Sequence, residues 1–264
     1  MSIGLHASAD KITVSKTDSS GIILAIETFQ FDAALTLEDW QQPELRLASR
    51  ISECVDTGAE IILSVPRGVH HIRRVPLEVA EDLDQKSQVE WEVAQTLAAA
   101  PGDHRVDYEV RGSSAIWVAV SSAFLNRLCE ALEPGGVSLC GICASPIAVT
   151  NLLRQHYPGS RSTCLVAESE WITRVDLEDQ AISGIEAIQR VPTDVASQVA
   201  LLLHAHNNLP ENAYIAGEPE VVEQVLAQET TISTLEIPGD WPQTDPSSAI
   251  AVGASLHALT ERDA

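Results

Sequence analysis

Apolar positions along this chain change their period several times, and the changes outline a fold. Residues 3–5, 11–15 and 21–28 carry short runs of strand-forming side chains, with a polar turn at 17–21. Leu47, Ile51 and Val55 then recur at i, i+4 spacing, which predicts a helix opened by Pro43 and stopped at Gly58. Residues 60–65 read as a buried strand, 66–68 as a break, and 69–75 as a strand with His71, Arg73 and Val75 on one face. A long helix is expected from about Leu77 to Ala99, with Glu78, Glu81 and Asp82 at the positive end of its dipole. Residues 106–110 and 115–120 predict a hairpin, and 122–133 a helix ended by Pro134, Gly135 and Gly136. A buried strand at 137–144 and a helix at 146–156 complete this half.

The second half returns to the first pattern. Residues 164–167, 171–177 and 181–188 predict an antiparallel meander, followed by a helix from an N-cap at Thr193 through His206. A strand at 212–216 and helices at 219–228 and 249–259 close the chain. Meander, helix and strand therefore occur twice, with an α+β unit inserted in the first round. Periodicity alone supports an α+β protein of two lobes.

Composition narrows the partners. A chain of 264 residues with 45% hydrophobic and 20% charged residues is ordinary for a soluble globule, but a net charge of −22 is not. Phosphates repel such a surface, so nucleic acid and direct adsorption to anionic lipid are disfavoured, while basic or membrane-tethered protein partners stay open. The plainer reading of the charge is solubility. No apolar run approaches the roughly 20 residues that span a bilayer. The first residues also lack a signal-peptide pattern, so a cytoplasmic location without membrane insertion is expected.

Candidate chemistry is sparse. Of the five cysteines, Cys140 and Cys143 form a CxxC inside an apolar run and read as small core residues, because no second ligand pair follows. His70 and His71 point to opposite faces of a strand, and His204 and His206 share no helical face, so no metal site is expected. Glu92 has no carboxylate placed to work with it, and Ser64, Ser121 and Ser122 lack a nucleophile elbow. Arg67, Arg73 and Arg74 form the one basic cluster of an acidic chain, suited to local ion pairs or to an acidic partner. Trp91, on the long helix, reads as core or lobe-interface packing, with peptide anchoring as the alternative.

IGLHASADKITV at the start is similar to the first phosphate hairpin of the actin-like ATPases. VEWEVAQTLAAAPGDHRVDYEV resembles the Trp-Glu helix and Asp-Tyr strand of the PilM family of type IV pilus assembly proteins. IWVAVSSAFLNRLCEALEPGGVSLCGICASPIAVTNLL, TCLVAESEWITRVDLEDQAI and AIAVGASLHAL resemble that family's later segments in the same order. The resemblance implies an α/β actin-like, ribonuclease H-like fold: a first lobe at 1–65 plus 145–162, an inserted peptide-groove subdomain at 66–144 and a second lobe at 163–264.

Departures from the family pattern matter as much as the matches. His6 stands where the family has a carboxylate, and Ala7 where flexible chain is expected. Glu168 lies in Leu-Val-Ala-Glu-Ser instead of Asp-Ile-Gly, and Gly217 is followed by Glu218 where a second glycine belongs. Only residues 207–211 stand where full-length relatives carry a helical subdomain over the adenosine. The resemblance thus implies a short, degenerate, HofM-like member that takes no cofactor and has no catalytic residues. Its expected role is a scaffold whose groove binds the cytoplasmic N-terminal peptide of a PilN-like inner-membrane protein, with Arg67, Arg73, Arg74 and Trp91 as candidate contacts. Self-association stays open. Alternatives are a nucleotide-binding actin-like ATPase whose state regulates assembly, or a type II secretion cytoplasmic domain of the GspL kind.

Overall fold

The computed structural model describes residues 1–77, 84–100, 102–157, 159, 161–204, 212–229, 231–239, 241 and 245–260. Strands β1 (Ser2–Ala7), β2 (Lys11–Thr17) and β3 (Ile23–Gln30) form an antiparallel meander, and β4 (Glu60–Val65) and β8 (Ser138–Ala144) extend it in parallel, in the order β3-β2-β1-β4-β8. The second sheet repeats this plan. Strands β9 (Arg161–Ala167), β10 (Trp171–Glu178) and β11 (Ala181–Gln189) meander, and β12 (Ala213–Gly217) and β13 (Ile232–Thr234) add in parallel, in the order β11-β10-β9-β12-β13. Each sheet alternates apolar residues into its core, which is why the two meanders were visible as strand-period runs. The three-residue β13 was not predicted, because so short a run carries no period.

Two helices run between the sheets: α5 (Ser145–His156) and α8 (Ser248–Thr260). Most of their described side chains are buried, and their apolar residues join those of both sheets in one continuous core. Close backbone approach explains two glycines here. A Cβ on Gly253 would lie 1.8 Å from the Ala148 carbonyl oxygen, and one on Gly4 would lie 2.2 Å from the Ser255 nitrogen. Helix α8 therefore touches β1 and α5 at contact distances that only glycine allows.

The inserted unit is smaller than expected. It comprises β5 (His70–Pro76), α3 (Gln85–Leu97), β6 (His104–Arg111) and β7 (Ser114–Ser121), with its own sheet in the order β5-β7-β6. Val89 and Val93 of α3 cover one face of that sheet through Val75, Trp117 and Ala119. The expected boundary at residue 144 is corrected by two observations. Strand β8 pairs in parallel with β4, and α4 (Ser122–Leu132) buries Phe124, Leu128 and Leu132 against Leu47 and Ile51 of α2 (Leu47–Cys54). Both elements belong to the first lobe.

Helix α3 also starts later than its sequence suggested. Asp84 caps it by accepting from the Lys86 and Ser87 amides, while Leu77 donates its amide to the Ser113 carbonyl 2.8 Å away and extends the strand instead. The expected acidic first turn, Glu78 to Asp82, lies outside the described residues, as does His206. Helix α6 (Val195–His204) begins after Asp194, one residue beyond the predicted cap at Thr193. Helix α7 (Pro219–Leu226) follows β12.

Candidate functional site

Two concave regions flank the first lobe, and they differ in every physical respect. The first is the cleft between the lobes, where His6 and Ala7 at the end of β1 face Glu168, Ser169 and Glu218 across a cavity of about 70 Å³. Sites for small organic ligands usually offer about 300–1,000 Å³. The chain itself fills this cleft. Arg67, in the turn between β4 and β5, donates its backbone N–H to Glu168 Oε2 at 3.0 Å and lays its guanidinium 5.6 Å from the centre of the Trp171 ring. The same guanidinium donates to the His70 carbonyl at 2.8 Å.

Burial dominates the electrostatics of the cleft. His6 is 4% exposed and its pKa falls to about 4, chiefly through burial, with Asp245 opposing and Lys11 adding to the fall. His6 is therefore neutral at pH 7, and its Nδ1 has no partner among the described residues. Lys11 and Asp245 pair directly beside it. Glu168 is 5% exposed and burial pushes its pKa up to about 7, against the Arg67 amide, the Ser145 hydroxyl and the Arg67 charge. Glu218, at the N-cap of α7, is also pushed up by burial. Gly217 has φ 124°, and a Cβ there would lie 1.9 Å from the Ala167 carbonyl oxygen. Its glycine serves the approach of β12 to β9.

The residues singled out at the degenerate loops thus do come together. His6, Ala7, Glu168 and Glu218 line one cavity, and Gly217 stands next to it. The candidate partner residues do not come together. Arg67 is committed to the cleft; Arg73 reaches Thr96 of α3 at 3.4 Å; Arg74 donates to the Ser183 carbonyl of β11 at 2.7 Å and to Ser114. Their acceptors are hydroxyls and backbone carbonyls, so among the described residues the three make neither the ion pairs that were expected of them nor a shared patch. Trp91 is 63% exposed, so core or lobe-interface packing is corrected: the ring stands on the outer face of α3 above a depression that Lys86, Glu90 and Val106 also line. Glu92 accepts from Thr96 one turn away, on the surface.

The second region is a groove of about 290 Å³ between the inserted sheet and the first lobe. Val118 and Val120 of β7 form one wall, and Leu125 and Cys129 of α4 with Leu139 and Ile142 of β8 form the other. Arg105 and Asp107 of β6 stand at its rim. Among the described residues, strands β6 and β8 are the last members of their sheets, so each presents an edge with no strand paired to it here. Cys140 is exposed in this groove, which corrects its reading as a core residue; Cys143 is buried as expected. An edge strand is covered on fewer sides than a central one, and the apolar run at 137–144 gave no sign of which it was. Sequence reasoning named the groove without naming its walls.

Comparison with known proteins fits this geometry. A chain of the PilM–PilN type IV pilus biogenesis complex superposes with a TM-score of 0.74 at 12% identity, over 98% of this chain and 98% of that one. A Bacteroides thetaiotaomicron protein of actin-like ATPase fold and unknown function gives a TM-score of 0.53 at 11% identity, over 89% and 90%. This chain has the actin-like fold. The cytoplasmic domain of EpsL, an inner-membrane component of the type II secretion system of Vibrio cholerae, gives 0.55 at 11% identity, over 98% and 94%. No family model matches the chain, and no curated protein matches it. No described helix is long and apolar enough to cross a membrane.

Proposed function

We propose that this chain is a non-catalytic adaptor of a type IV pilus or a related secretion or DNA-uptake machine. In this reading its groove holds the cytoplasmic N-terminal peptide of a PilN-like inner-membrane protein, and that peptide keeps the chain at the membrane. The observation that carries the proposal is the groove itself: an open, apolar-walled channel with two free strand edges, in a chain whose fold follows that of the PilM–PilN complex over its whole length. A peptide needs only such features, with backbone hydrogen bonds from a strand edge for affinity and shallow pits for specificity.

The cleft supports the pseudo-ATPase half of the reading. Its small volume, the Arg67–Glu168 contact across it and the acidic Glu168 and Glu218 all oppose a triphosphate. The EpsL likeness favours a second reading, a type II secretion counterpart that docks on a different membrane protein through the same groove.

The test is binding of fluorescent peptides taken from the cytoplasmic N-termini of single-span inner-membrane pilus and secretion proteins of the same organism. One peptide is expected to bind, and Cys140→Arg, which fills the groove from an exposed position, is expected to weaken it at least tenfold without lowering thermal stability. Unchanged affinity in that variant would sink the proposal.

A further inference from the structure

The apolar groove continues past its own walls. Cys129 of α4 and Leu139 of β8 also line an adjoining depression of about 470 Å³, which Glu130, Glu133, Val137 and Ser138 complete. Along β8 the lining therefore passes from apolar side chains to an acidic mouth. A single helical turn (Glu133–Gly135) and Gly136, at φ 69°, carry the chain from α4 into β8. The Gly136 amide donates to the Glu133 carbonyl at 2.9 Å and the Gly58 amide to the Gly136 carbonyl at 2.7 Å, which fixes the backbone of that mouth.

The charges there are unbalanced. Glu130 and Glu133 stand three residues apart at the C-terminal end of α4, where the helix already presents negative partial charge and its last turn holds no basic residue. Like charges at that spacing repel. Both carboxylates are exposed, and among the described residues neither forms an ion pair. Arg127, the one cation of α4, turns to Glu44 and to the Gln41 carbonyl instead. Glu60, exposed and in register with Ser138 of β8, adds a third negative charge. At the rim beside β6, by contrast, Arg105 and Asp107 carry opposite charges. Most carboxylates of an acidic chain serve solubility, but these stand where an apolar groove opens and face whatever lies in it.

We propose that this mouth takes a lysine or arginine side chain of the segment docked in the groove. The occupant is then an extended peptide whose apolar run lies along β8 and whose cation, immediately beyond that run, sits on Glu130 and Glu133. A guanidinium or ammonium group there relieves the repulsion between the two carboxylates and the charge of the helix end together. An acidic side chain in the same place would meet three carboxylates. The inference rests on the peptide-groove reading and adds to it the charge of the ligand and the end of the groove that reads it.

The probes are the fluorescent N-terminal peptides of the preceding test, each also made with its lysines and arginines changed to glutamate. The peptide that binds is expected to lose about tenfold in affinity on that change. A protein carrying Glu130→Lys and Glu133→Lys should reverse the preference, whereas Glu220→Lys with Glu223→Lys, exposed on α7 and equal in net charge, should keep it. Equal affinity of both peptide forms for the wild type, or the same preference in all three proteins, would overturn the inference while leaving the groove reading standing. If no peptide binds the wild type, the groove reading fails, and charged thiol reagents decide the mouth separately. The exposed Cys129 should then react about threefold faster with a trimethylammonium methanethiosulfonate than with a sulfonate one, each rate taken relative to mercaptoethanol. Glu130→Gln with Glu133→Gln should abolish that difference, and an unchanged ratio would overturn the cation-selecting mouth.

Discussion

The interlobe cleft and the groove beside β8 are both concave, yet one is small, mixed in its lining and crossed by the Arg67–Glu168 bond, while the other is wider and walled by valine, leucine and isoleucine. The two regions place their side chains differently. In the cleft, Arg67 bonds to Glu168 and lies against the Trp171 ring, so the chain's own side chains occupy the space beside His6 and Ala7. In the groove, apolar side chains remain without cover and two strand edges remain without partners, at a cost in exposed apolar surface that a docked partner would relieve.

Both regions depend on the close packing of α8 against α5 and β1. Gly253→Val should cost more than about 4 kcal/mol, because the new Cβ would lie 1.8 Å from a backbone oxygen of α5; urea melts check this. Both the cleft and the groove should be lost together.

Acid sharpens the picture of the cleft. His6 and His70 have folded pKa values depressed from 6.5 to about 4 and 3, so each contributes stability above pH 6.5 that is lost as pH falls toward those values. Glu168, raised from 4.5 to about 7, acts with the opposite sign: its contribution is full below pH 4.5 and is lost as pH rises through 7. Between pH 6.5 and 5 the wild type should lose about 1–2 kcal/mol, and Glu168→Gln about 3 kcal/mol, since the opposing group is gone. Parallel urea-stability profiles would show that Glu168 is not the buried acid described above.

Smaller effects probe the groove and its surroundings. Cys140→Arg should cost at least about 1.4 kcal/mol of peptide affinity, a tenfold loss by anisotropy, with little change in melting temperature. Trp91→Ala should change folding stability by less than about 0.5 kcal/mol, because the ring is 63% exposed; a larger loss in a thermal melt would mean that it packs more tightly than its position indicates.

Much of the fold was legible because it is written in period. The two meanders, the helix at 122–133 and the buried helix at 146–156 all show apolar residues at strand or helix spacing. What period cannot say is which sheet a strand joins. Residues 137–144 read correctly as a strand, but pairing with β4 is a long-range event, and the boundary of the inserted unit and the exposure of Cys140 both depended on it. Trp91 misled for a related reason. Its helix has two inward valines, Val89 and Val93, and the tryptophan between them faces outward, which large aromatic content alone argues against. The cleft residues were legible as departures from a family pattern, whereas their mutual bonding was not. Arg67, noticed as a surface-type cation, closes the cleft through its amide and its ring contact, neither of which leaves a mark in sequence.

The function proposed above leaves the cleft without a nucleotide and the groove with a peptide. A thermal-shift titration with Mg-ATP and Mg-ADP up to millimolar concentration tests it most directly. Ligand at about 100 times its dissociation constant adds roughly 2.7 kcal/mol, or about 5–10 °C for a chain of this size. The account predicts no shift with either nucleotide. A clear, saturable rise in melting temperature would contradict it and return the cleft to nucleotide chemistry.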